Sequence, residues 1–168
     1  MQKIHTRRAE REDAYELFAL ARQYTTGREP ISKDEFLVAL DNVLRYREQE
    51  TNVLFVAVAD QKSFMRSLEG ARHNDEAQER NIIVGYTLMT VSRLLHDPGL
   101  TAHIQEIVVD EPARGTGVGE RLMKANESYC KARGVRQISA STARFGSFFN
   151  HLDYEAMGEH YRKILHAV

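Results

Sequence analysis

The chain lacks most of the features that settle a protein's class by composition alone. It has one cysteine, Cys130, among 168 residues, so no disulfide can form within it, and a lone thiol at helical spacing reads as buried and inert. Neither sign of charge is in excess: 23 Lys and Arg stand against 24 Asp and Glu, a formal net charge of −1. The electrostatic footprint of a nucleic-acid or anionic-lipid binder is therefore missing, and neither nucleic acid nor membrane is expected as a partner. No apolar run approaches the ~20 residues that cross a bilayer. The opening Met-Gln-Lys-Ile-His-Thr-Arg-Arg has no apolar signal core, which makes a cytoplasmic location the expectation. Repeats and low-complexity tracts are also absent. What remains is ordinary for a globular chain, 42% hydrophobic and 28% charged, and its length fits one domain, 1–168, with a core that needs no staples.

The informative stretch is Ile104 to Gly119, Ile-Gln-Glu-Ile-Val-Val-Asp-Glu-Pro-Ala-Arg-Gly-Thr-Gly-Val-Gly. A β-branched run ends in a turn, and a glycine-studded loop feeds an amphipathic helix. Such a helix mouth offers unpaired N–H groups and the positive end of the helix dipole to an anion. Two familiar glycine loops do not fit. A Walker loop continues with Lys-Ser or Lys-Thr, whereas Gly119 is followed by Glu120 and Arg121. A dinucleotide fingerprint sits at the first βα turn, whereas these glycines come late. The spacing that fits is Arg-x-x-Gly-x-Gly, from Arg114 through Gly117 to Gly119.

Around it, the periodicities give an order of elements. A strand over Lys3–Arg8 precedes a helix over Glu12–Tyr24, and Ser32 with Glu35 forms a capping box opening a second helix. Strands follow at Leu54–Ala59, at Ile82–Val91 with a bulge at Gly85, and at His103–Val109. The helix Val118–Arg133 closes on Gly134. A strand Arg136–Ser141, a short helix Phe145–Leu152, and a closing antiparallel pair, Tyr154–Met157 with Tyr161–His166, complete the chain. Asp60 to Asn81 is polar, shows no sustained apolar face, and reads as a long mobile hairpin insertion. It is either a solvated excursion or a functional one, a partner contact or a lid over the acceptor site.

The loop, the Val-Val-Asp strand end before it, and this order of elements resemble the GNAT superfamily of acetyl-coenzyme A-dependent N-acetyltransferases. The resemblance is strongest from Ile104 to Gly158 and topological before that. It implies an α/β (α+β) GNAT fold: a central mixed, mostly antiparallel, splayed sheet with helices on both faces. It implies acetyl-coenzyme A as cosubstrate, no metal, and a small-molecule or peptide amine as acceptor, in a monomer or homodimer. Ile107, Val108 and Val109 would hold the pantetheine arm, and an amide near Val108 would polarise the thioester carbonyl. Arg114, Gly115, Thr116, Gly117, Val118, Gly119 and Glu120 would take the diphosphate.

For the chemistry, Glu106 is the candidate general base, with a solvent-facing or ion-paired strand carboxylate as the alternative; His103 is a weaker candidate. The family's Asn-x-x-Ala-x-x-Phe-Tyr aligns with Thr142, Phe145, Phe148 and Phe149; Thr142, Phe148 and Phe149 would contact the coenzyme, but the acid's hydroxyl is absent and Phe149 can pack without donating a proton. Tyr154 is carried forward as a substitute acid, with Tyr129 and Tyr161 behind it. Asp153 stands where the family usually has glycine. The acceptor pocket is expected from Gln23–Lys33, with Tyr24 and Arg28 on its rim, from Leu88–His96, and from Glu159–His166. A non-enzymatic acyl-coenzyme A sensor is the alternative function.

Overall fold

A computed structural model describes residues 4–24, 31–45, 51–62, 64, 80–95, 99–142 and 146–158. Its elements are β1 (Ile4–Arg8), α1 (Ala14–Ala21), α2 (Lys33–Arg45), β2 (Asn52–Asp60), β3 (Asn81–Arg93), β4 (Leu100–Val109), α3 (Val118–Ala132), β5 (Val135–Ala140) and α4 (Gly146–His151). Short 3₁₀ turns at Arg11–Asp13 and Glu111–Ala113 precede α1 and the glycine loop. No helix among the described residues is long and apolar enough to cross a membrane.

The five strands of the described residues lie in the order β1-β2-β3-β4-β5. The first three pairings are antiparallel and β4–β5 is parallel, which is the mixed, mostly antiparallel sheet that the resemblance implies. β2 and the middle of β3 are buried along nearly their whole length because helices cover both faces of the sheet. On one face, Leu17 and Leu20 of α1 and Leu40 of α2 pack on Leu54, Val56, Val58, Tyr86 and Val108. On the other, Val118, Leu122, Met123 and Cys130 of α3 pack on Ala57, Val84, Met89, Ala102 and Ile104.

Local signals explain the boundaries. Ser32 and Glu35 form the capping box: Ser32 N–H donates to Glu35 Oε2 at 3.0 Å and Glu35 N–H to Ser32 Oγ at 3.3 Å. Asp13 is buried and receives both Arg7 guanidinium nitrogens, at 2.7 and 2.8 Å, and the Glu10 amide at 2.8 Å. That knot fixes the turn between β1 and α1.

Two expectations change. Tyr154–Met157 forms no strand among the described residues; Asp153, at φ 62°, turns the chain out of α4, and Tyr154 packs back on Phe149. Its expected partner, Tyr161–His166, lies outside the described residues, as do Arg28, Phe145 and 65–79 of the insertion. The insertion also begins with structure: Gln61, Lys62 and Phe64 are helical, and Phe64 is buried beside Ala113 and Val118. Gln61 N–H donates to Arg80 O at 2.8 Å, closing the insertion's neck.

Candidate active site

The site begins where two strands part. β4 runs beside β5 from Leu100–Val135 to Ile104–Ala140, and there the ladder stops. On its other edge β4 stays paired with β3 as far as Val109–Gly85. From Gln105 to Val109, therefore, the edge of β4 that lay beside β5 has no strand next to it among the described residues, and the two strands part as a wedge. Asp110 N–H donates to Val84 O at 3.0 Å, and antiparallel alternation then turns the N–H and C=O of Val108 toward β3 as well. The outward main-chain groups are those of Ile107 and Val109. Val108 itself has its side chain in the core, so the outward amides near it are those of its two neighbours.

A bulge gives this strand end its character. Leu88 pairs with Glu106 but Met89 pairs with Ile104, so Gln105 is an extra residue, and Gln105 and Glu106 project to the same side. Gln105 Nε2 donates to Thr90 Oγ1 at 3.0 Å. Glu106 is carried to the face covered by α1 and α2, where the buried Tyr86 hydroxyl donates to its Oε2 at 2.7 Å. Burial, then the Glu106 charge and this hydrogen bond, push the Tyr86 phenol far above its usual range, so it stays a donor. His103 shares that face one step before the bulge, and its Nδ1 lies 2.8 Å from Ser139 Oγ on β5.

The glycine loop follows directly. Gly115 and Gly117 have φ of 76° and 85°, and a Cβ on either would meet no atom within 4 Å. Only glycine takes this left-handed region at little cost, and the space beside it is open. Gly117 is the N-cap of α3 and has no side-chain cap. The first helical bond runs from Arg121 N–H to Gly117 O, so the amides of Val118, Gly119 and Glu120 precede the helix's own hydrogen bonding. The loop braces itself from behind. Thr116 Oγ1 donates to Ala113 O at 2.7 Å, and Arg114 Nε donates to Val109 O at 3.2 Å. Glu120 turns its carboxylate to Lys124 at 2.6 Å, leaving its amide at the helix mouth. Open left-handed glycines and uncapped amides suit a diphosphate.

The remaining candidates form the back of the wedge. Phe148 lies against Gly119, where an added Cβ would come within 3.1 Å of the ring. Phe149 is buried at 7% exposure among Met123, Cys130 and Ile104, packed edge-on against Phe148 and Tyr154 at 5.2 and 5.6 Å. It supports the wedge wall from inside the core. Tyr154 donates its hydroxyl to Glu127 Oε1 at 3.3 Å, and burial, then the Glu127 charge, hold that phenol protonated. Its proton is engaged on α3. Thr142 is exposed just past β5, and Tyr129 packs edge-on against Phe55.

Two residues take roles at the site that sequence reasoning did not give them. Tyr86 is the partner of Glu106, and Gln23 at the end of α1 bonds the turn that opens the glycine loop. Both contacts span many residues, and no local pattern announces them.

Solved structures share this fold. A glucosamine-6-phosphate N-acetyltransferase from Arabidopsis thaliana superposes with a TM-score of 0.74 at 16% identity, covering 98% of this chain and 99% of that one. An aminoglycoside N-acetyltransferase in complex with coenzyme A gives 0.67 at 15% identity, covering 97% and 96%. The family model described as "Acetyltransferase (GNAT) domain" matches residues 42–164, and the chain belongs to that family. Among curated relatives, N-alpha-acetyltransferase 80 of Mus musculus is 36% identical over 78 residues, which are 46% of this chain and 24% of the relative. The match therefore spans a minor part of that protein's length.

Proposed function

We propose that the chain is an acetyl-coenzyme A-dependent N-acetyltransferase that passes the acetyl group directly to a primary amine in a ternary complex. One observation carries the reading: the edge of β4 left open by β5 leads straight into an uncapped, glycine-lined helix mouth. A long ligand with an amide-bearing arm and a diphosphate matches that sequence of surfaces. The structural neighbour solved with coenzyme A supports the same ligand.

In this reading the diphosphate takes the amides of Gly115, Gly117, Val118, Gly119 and Glu120, the Thr116 amide being bonded to Ala113 O, and the pantetheine arm takes the outward groups of Ile107 and Val109. One of those amides donates to the thioester oxygen as charge develops there. The acceptor nitrogen attacks the carbonyl carbon, a C–N bond forms, and the C–S bond breaks. Glu106, held by Tyr86, receives the ammonium proton through water. The thiolate leaves without an obligatory acid, because a thiol of pKa about 8.5 tolerates ionisation near neutral pH. This accommodates Phe149 at the family's tyrosine position.

The acceptor class is a small-molecule or peptide amine. The Mus musculus relative's name motivates including peptide α-amines in any panel. Titration calorimetry with acetyl-coenzyme A is the first test, and the absence of binding at high micromolar concentration overturns the reading. Thiol release across the panel is the second. The missing tyrosine hydroxyl favours one competing reading, an acyl-coenzyme A sensor without turnover. Binding without thiol release above hydrolysis for any amine would select the sensor.

A further inference from the structure

The end of α1 is tied to the turn that opens the glycine loop through a single residue. Gln23 follows α1, and its side-chain amide is used twice. Nε2 donates to Asp110 Oδ1 at 2.8 Å, and Oε1 accepts the Glu111 backbone N–H at 3.1 Å. Asp110 is the residue at which β4 ends, and Glu111 opens the 3₁₀ turn into the glycine loop.

The chemistry of the clamp is specific. Asp110 needs a donor and Glu111 N–H needs an acceptor, and only a primary amide of this length presents both from one planar group. Glutamate would accept from Glu111 but set its carboxylate against that of Asp110. Alanine would supply neither bond. All three residues are at the surface or partly exposed, so the clamp is not needed to fill the core.

We infer that Gln23 is a positioning residue: it locks the entrance of the diphosphate loop to α1 and so keeps the loop in its binding geometry. The inference rests on the coenzyme reading given above. A loop released from the clamp spends part of its time in other conformations, and apparent affinity falls by the fraction that remains competent.

The test measures the dissociation constant of acetyl-coenzyme A by calorimetry, with thermal denaturation alongside, for wild type, Gln23→Ala, Gln23→Glu and Gln23→Glu combined with Asp110→Asn. Two net hydrogen bonds are at stake, so Gln23→Ala should weaken binding about five- to tenfold, with little change in melting temperature. Gln23→Glu should weaken it further. The double variant restores a donor opposite a carboxylate and keeps the Glu111 bond, so its affinity should return to within about twofold of wild type, a recovery a merely structural role would not produce. Equal affinities in wild type, Gln23→Ala and Gln23→Glu overturn the inference, as does a double variant no better than Gln23→Glu. A wild-type protein that does not bind the coenzyme at all overturns the functional reading instead, so the two failures are distinct.

Discussion

Replacing Gly117 with aspartate separates ligand binding from folding. The residue has φ 85° and open space where a Cβ would stand, so no clash opposes the new side chain. Backbone strain for a non-glycine residue there is roughly 1 kcal/mol, less for Asn and Asp than for most. A carboxylate at the N-terminus of α3 recovers about 0.3–1 kcal/mol from the helix dipole. The free protein should therefore melt within ~4 °C of wild type. The ligand meets a different balance. At about 5 Å and an effective dielectric of ~20, a carboxylate and one phosphate charge repel by about 3 kcal/mol, more than a hundredfold in affinity. Salt screening at the surface reduces this to a loss of at least tenfold at physiological ionic strength, growing as salt is removed. The assay is calorimetric titration of coenzyme A into Gly117→Asp and the neutral, isosteric Gly117→Asn at two salt concentrations. Affinities within threefold of one another at low salt would refute the placement of the diphosphate at this helix mouth.

Four further outcomes follow from the same geometry. Gly119→Ala forces its methyl within 3.1 and 3.2 Å of the Phe148 ring and should cost about 1–3 kcal/mol in urea unfolding, with partial rescue by Phe148→Leu; no loss would mean that the ring yields freely. Tyr86→Phe removes the 2.7 Å donor to Glu106 and should lower kcat about tenfold while leaving coenzyme affinity unchanged, as steady-state kinetics and calorimetry can show. Burial raises the Asp13 carboxyl, but Arg7 and the Glu10 amide more than offset it, so its folded pKa lies below the usual value. Its contribution is present above the unfolded pKa of about 3.9 and is lost as pH falls through the lower folded value, so urea midpoints should drop below pH ~4 less steeply in Asp13→Asn. Cys130 is 1% exposed and burial pushes its thiol up to about 11, so a thiol reagent at pH 8 should find no reactive group until denaturant is added.

The sequence is most legible where structure is local. The Ser32–Glu35 box, the glycine at the end of α3 and the Arg114–Gly119 loop are each encoded within a few residues, and all appear where their chemistry places them. The strands come out longer than the hydrophobic runs that mark them, since β2 begins at Asn52 and β4 at Leu100; backbone pairing continues past the last apolar residue. What stayed hidden is non-local. Strict alternation along β4 cannot reveal that Gln105 is supernumerary, yet that residue turns Glu106 toward Tyr86. The Gln23 clamp spans 87 positions to Asp110. Phe64 looked like part of a polar excursion because its apolar partners, Val118 and Ala113 among them, belong to other elements.

The parting of β4 from β5 has a consequence for handling the protein as well as for catalysis. A strand edge that no other strand covers, as here among the described residues, is a template for any extended chain, including another copy of the same protein. A cosubstrate arm lying along Gln105 to Val109 would fill that seam as a surrogate strand. Occupancy at a hundred times the dissociation constant would add about 2.7 kcal/mol to the fold by mass action. Preparations stripped of coenzyme are therefore those in which edge-to-edge association should start, and replenishing it should reverse the tendency before any acceptor is supplied.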